Sequence, residues 1–348
     1  MNTDETKNIY FINVAKTVAI FLVVLAHLPI PNLLHAFINS FHMPLFFIIT
    51  GYLIFTDATP FRKLLIKKIR TLLIPYYLFA ILSWLYWYFI GNEQGVETGS
   101  GDKVISYITG ALLAIPDKEY LGFNFPLWFL PSLFCAEILF YWIKKWFNKY
   151  SFIPVLILFG LGVLLNESRS PRLPLGIDVS FFALLFIQIG QWLQNKSIQN
   201  NCLHTLSFSR KILLSGILLC ITIYIAQINQ DIRVISMAKR IFNNYFLFLT
   251  GAVSGSLCIL YLSLCFCKMR LFDFYGRNTI FILGLHLVTL GLIKGIQVYG
   301  FHIPLSLTEQ QFGISVLYTL LVFVLLIPVI YIVNKYIPFL IGRKEGIL

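Results

Sequence analysis

Lys16 and His27 bracket the stretch "KTVAIFLVVLAH", and every residue between them is apolar or small. A helix turns about 100° and rises about 1.5 Å per residue, so His27 returns to within about 20° of Lys16, roughly 16 Å further along the axis. Asn13 falls about 60° from Lys16 on the same side. One stripe of a single apolar helix therefore carries an amide, a cation and an imidazole. Ionisable groups inside a membrane span are costly and mark function by default. The plainer alternative is that Lys16 snorkels to the inner headgroups while His27 marks the helix end before "LPIP". On the functional reading, a neutral imidazole takes a proton from a hydroxyl, and a cation nearer the other end holds an anion. A long, thin donor with phosphates at one end and a thioester at the other would join the two. The pantetheine arm of an acyl-CoA has that form.

Further residues carry chemistry of the same kind. His42 precedes Met43-Pro44, and a proline inside a span frees a backbone carbonyl, which is tolerated where the helix lines protein or a cavity. His35 lies one heptad earlier on nearly the same face, towards the outer interface. Glu137, in "PSLFCAEILFY", places a carboxylate inside a span. It either orients His27 or pairs with a basic side chain. Arg62, Lys63, Lys67, Lys68 and Arg70 form a basic loop suited to anionic lipid, and Arg70, bordering the next span, is the best placed of them for phosphate. Arg277 is a second phosphate candidate, with Asn278 beside it as a helix cap. His286 sits mid-span, Trp128 fits an aromatic belt, and His204 and His302 read as ordinary loop residues.

The elements that must position these groups are membrane helices. Hydrophobic residues make up 58% of 348 and charged residues 12%, with mean hydropathy +0.80. Lipid is the only solvent that suits such a chain. The apolar runs are continuous and do not alternate, which excludes a β-barrel. The fold class is all-α and polytopic, a single membrane-embedded domain over 1–348 with no separate soluble domain. Ten spans are predicted, at about 9–28, 34–55, 71–91, 125–143, 152–166, 177–194, 211–228, 244–266, 279–298 and 312–337. With both termini on one side, nineteen of the 27 basic residues fall on that side, which the positive-inside rule makes cytoplasmic. The net charge of +12 thus reflects topology, and nucleic acid is not an expected partner. The outer loop at about 92–124 is Gly-rich and acidic, with a short interfacial helix expected in its middle. The six cysteines, Cys135, Cys202, Cys220, Cys258, Cys265 and Cys267, show no metal-ligand spacing with histidine and read as packing residues.

In these motifs the chain resembles the acyltransferase-3 family of integral-membrane acyltransferases. A basic residue, ten intervening residues and a histidine match Lys16 and His27. "FHMPLFFIITGY" matches a His-x-Pro-Leu-Phe-Phe segment followed by glycine, His42 to Gly51. "IRTLLIPYY", "PLWFLPSLF" and "GRNTIFILGLH" resemble later family segments, in the family's order. Where the family often has Asp-x-x-Arg, this sequence has Asn13 to Lys16. Lysine is a point charge without the arginine fork, and asparagine supplies no counter-charge. The resemblance implies a membrane-bound O-acyltransferase of the bacterial inner membrane. It would move an acyl group, most often acetyl, from cytoplasmic acetyl-CoA or another acyl-CoA to a hydroxyl of a surface glycan or its lipid-linked precursor. His27 would then be the general base, with His42 and Glu137 in the catalytic set and Lys16, Asn13, Arg70 and Arg277 towards the donor. No metal is expected. Acceptor, acyl chain and homo-oligomerisation are left open. The rival reading is a transporter or flippase for a lipid-linked glycan, which the missing repeat of two halves disfavours.

Overall fold

A computed structural model describes residues 3–54, 60–91, 101–200, 206–229, 234–266, 268–307 and 311–343. Cys202, His204, Cys267 and Lys344 lie outside the described residues. The described chain is helical throughout, with one isolated bridge between Ser236 and Ile241 and no strand. In order, the helices are α1 (Thr3–Ala26), α2 (Asn32–Leu53), α3 (Phe61–Lys68), α4 (Ile74–Tyr86), α5 (Gly101–Leu113), α6 (Lys118–Leu121), α7 (Phe129–Phe147), α8 (Phe152–Glu167), α9 (Ile177–Asn200), α10 (Phe208–Ile228), α11 (Tyr245–Ser263), α12 (Arg270–Arg277), α13 (Thr279–Gly295) and α14 (Phe312–Tyr336). Among the described residues, eight helical stretches are long and apolar enough to cross a membrane. The apolar segments Tyr10–Ala26 of α1 and Phe152–Glu167 of α8 are shorter and occupy the first and fifth predicted spans.

One segment differs from expectation and another follows it. The basic stretch after α2 is helix, not loop: α3 runs through a π-helical turn at Ile69–Leu73 into α4, giving one stretch from Phe61 to Ile90. Pro75 in the first turn of α4 has no N–H to offer the preceding turn, and the wider π turn just before it absorbs that defect. The helix expected in the outer loop exists as α5, and it is tied to α4. The hydroxyls of Tyr76 and Tyr77 donate to the Ala111 and Leu112 carbonyls at 2.9 and 3.0 Å, closing the C-terminal end of α5.

The helices group into two compact units. One comprises residues 1–55 and 185–279, the other 56–184 and 280–348. In the first, helices approach through small residues, as membrane helices do when close backbone contact is the source of attraction. A Cβ added at Gly51 would lie 2.0 Å from the Ile187 carbonyl oxygen, and one at Gly190 would lie 2.0 Å from that of Ile48. The backbones of α2 and α9 therefore touch at two glycines. Gly255 of α11 faces the Phe41 ring of α2 in the same manner, and Thr222 and Ser254 share a 2.9 Å hydrogen bond between α10 and α11. In the second unit, α8 buries only Val155 and Gly162, packs Phe159 edge-on against Phe182, and leaves Ile153, Leu156, Ile157, Leu161 and Leu164 exposed, as a lipid-facing helix does.

Candidate functional site

His27 lies one residue beyond α1 and is exposed. Its amide bonds the Val24 carbonyl, three residues back, so the Val23 carbonyl loses its usual helical donor. The imidazole makes good that loss: Nδ1 pairs with the Val23 oxygen at 2.7 Å. A carbonyl only accepts, so Nδ1 carries the proton and, in the neutral ring, Nε2 carries the lone pair. His42 repeats the arrangement inside α2, with Nδ1 on the Ile38 carbonyl at 2.7 Å, and it is buried. His27 and His35 both lie within Coulombic range of the His42 ring, and His35, half-buried, meets the backbone of Ala26. Three of the sequence candidates thus gather where α1 ends and α2 begins. Pro44, two residues past His42, removes the amide that would have bonded the Ser40 carbonyl in a regular helix. Gly51, the glycine of the same motif, permits the α2–α9 contact.

At the other end of α1 the stripe meets α12. Asn13 is buried, and its Nδ2 donates to Asp273 Oδ1 at 2.7 Å. Asp273 Oδ2 in turn pairs with Arg277 Nη2 at 2.9 Å. Thr17 donates to the carbonyls of Asn13 and Phe272, and the Tyr10 hydroxyl accepts from the Met269 amide. A Cβ at Gly276 would come within 2.4 Å of the Asn13 carbonyl oxygen, so glycine is what allows α12 to lie against α1. Lys16, on the same stripe, is half-buried. Asn278 donates its amide to the Phe274 carbonyl and so closes the end of α12. Asp273 supplies beside Asn13 the carboxylate that Asn13 itself lacks. The sequence reading missed it, although its spacing of four from Arg277 within "RLFDFYGR" is an ion-pair signal.

The second unit holds Arg70, Glu137 and His286. Lys68 Nζ meets Glu137 Oε1 at 2.5 Å, with Glu137 buried, so the basic partner left open for this carboxylate is Lys68. Glu137 Oε2 has no hydrogen-bond partner among the described residues. Arg62, Lys63, Lys67 and Arg70 are exposed on the same helical stretch. Trp128 is buried and packs edge-on against Phe129, so it is not part of an aromatic belt. His286 is fully buried, and its Nδ1 contacts the Ile282 and Leu283 carbonyls, which again makes Nε2 the basic nitrogen. Two residues before it, the Gly284 carbonyl accepts from Asn124 Nδ2 at 2.8 Å, and the same amide reaches Ser83 Oγ at 2.7 Å. Because Gly284 offers only an acceptor there, the orientation of the Asn124 amide is fixed. Its Oδ1 has no hydrogen-bond partner among the described residues. Asn124, an amide inside the apolar run "FNFPLW", was not singled out from sequence.

No cluster of three or more histidine, cysteine or acidic side chains suited to a metal ion occurs among the described residues. Cys135 and Cys258 are buried free thiols, consistent with packing residues. No curated protein and no solved structure matches the chain. A family model described as an acyltransferase domain matches residues 9–335, nearly the whole length, and it spans the Lys16–His27 stripe, His42–Gly51 and "GRNTIFILGLH". The chain belongs to the acyltransferase-3 family.

Proposed function

We propose that this membrane acyltransferase moves an acyl group, most often acetyl, from cytoplasmic acyl-CoA to a hydroxyl of a cell-surface glycan or its lipid-linked precursor. The observation that carries the reading is the His27 ring: Nδ1–H is held by the Val23 carbonyl at 2.7 Å, which presents Nε2 as proton acceptor at the end of α1. In the proposed step, Nε2 takes the proton of the acceptor hydroxyl as its oxygen attacks the thioester carbonyl. The C–O bond forms and the C–S bond breaks. The imidazolium then returns its proton to the departing thiolate, leaving ester and coenzyme A. A supporting base role falls to His42, whose ring is fixed in the same tautomer. Glu137 steadies the chain before α4 through Lys68. Arg277, Lys16 and Asn13 serve the donor on the side marked inner by the basic residues, Asn13 acting through Asp273. The enzyme acts in a bacterial cytoplasmic membrane.

Cells carrying the wild-type chain should show glycans heavier by one acyl group, and cells carrying His27→Ala should lack that mass step while expressing the protein normally. A mass step of undiminished size in the variant would remove His27 from the chemistry. Binding of a non-hydrolysable acyl-CoA analogue to the purified protein separates this reading from a glycan flippase, which has no use for the donor.

A further inference from the structure

We propose that Asp273 is a positioning residue that aims Arg277 at the phosphates of the donor, with Asn13 as its anchor. The inference rests on the reading that the donor is an acyl-CoA. The carboxylate bridges two groups of opposite situation: Asn13, buried in α1, and Arg277, exposed at the end of α12. An exposed ion pair four residues apart contributes little to fold stability. What the bridge does is orient. Oδ1 is held at 2.7 Å by a buried amide, and Gly276 seats α12 directly on the Asn13 backbone. Oδ2, at 2.9 Å from Nη2, then restrains where the guanidinium points. A guanidinium has five N–H donors, so the Asp273 contact does not by itself exhaust it, and a fork restrained in direction recognises phosphate better than a swinging one.

The test uses the full chain purified in detergent and three probes. These are coenzyme A, adenosine 3′,5′-bisphosphate (which has phosphates and no arm) and S-acetylpantetheine (which has the arm and no nucleotide). Asp273→Asn should weaken binding of the first two by about tenfold, the scale of one charge-assisted contact, and leave S-acetylpantetheine unchanged. The double variant Asn13→Asp with Asp273→Asn moves the carboxylate across the same hydrogen bond and should restore much of the lost affinity. A merely structural role would affect all three probes together. Unchanged coenzyme A binding in Asp273→Asn, or equal losses for the phosphate-bearing and phosphate-free probes, would overturn the inference while leaving the proposed reaction standing. A wild-type protein that binds none of the three, and no acyl-CoA analogue, would remove the proposed reaction and this inference together.

Discussion

Replacing Lys68 by methionine removes the cation that meets Glu137 at 2.5 Å and leaves a buried carboxylate behind. At that separation the gross attraction between unit charges is about 7 kcal/mol with an effective dielectric constant near 20. Most of it offsets the desolvation of the two ions, so the pair contributes little compared with an apolar replacement. Removing one partner is different, because the desolvated charge stays: breaking a buried pair this way costs about 3–5 kcal/mol. That lowers the folded-to-unfolded ratio by a factor of about 10² to 10⁴. Lys68→Met should therefore be strongly destabilised, whereas Lys68→Met combined with Glu137→Gln should recover most of the loss. The assay is equilibrium unfolding in mixed micelles, followed by circular dichroism, as a double-mutant cycle. Acyl transfer by the double variant, measured in parallel, should persist. A single variant as stable as wild type, or a double variant as unstable as the single, would refute the electrostatic reasoning. A folded double variant without transfer would move Glu137 from support into the chemistry.

His27→Gln keeps a side-chain N–H donor for the Val23 carbonyl but offers no proton acceptor of imidazole strength; transfer should fall by about 10²- to 10⁴-fold with stability unchanged, read by glycan mass spectrometry beside the unfolding curve. Gly190→Ala puts a Cβ 2.0 Å from the Ile48 carbonyl, and the required backbone shift should cost about 1–3 kcal/mol, measured as a lower unfolding midpoint; no change would mean that α2 and α9 are further apart than described. Asn124→Leu deletes the two hydrogen bonds from its amide to Ser83 and Gly284 and should cost about 1–3 kcal/mol, again as a lowered midpoint.

Much of the fold was legible from sequence because hydropathy reports directly on the solvent each helix must meet. The positions of the predicted spans correspond to helices, including the short one at α8. The α3 helix reads as loop in the sequence because its four cations, three of them exposed, dominate its composition. Once those side chains reach headgroups, nothing prevents the backbone from continuing as helix into α4. Within the site, the Lys16–His27 spacing gave the stripe, and the His-x-Pro segment gave His42. Asp273 escaped because its partner Asn13 is 260 residues away, and no periodicity within one helix announces a contact made by another. The hydrogen bond that sets the His27 tautomer was equally hidden, since it depends on α1 ending in a tight turn.

The mutual seating of Gly51 and Gly190 has an evolutionary corollary. With no side chain between them, α2 and α9 can neither slide nor rotate past one another without collision, so this junction behaves as a weld and not as a bearing. Tolerance at the two positions is therefore a joint property. Among homologues, enlargement at one site should be admitted only in lineages where the two helices cross in a different register.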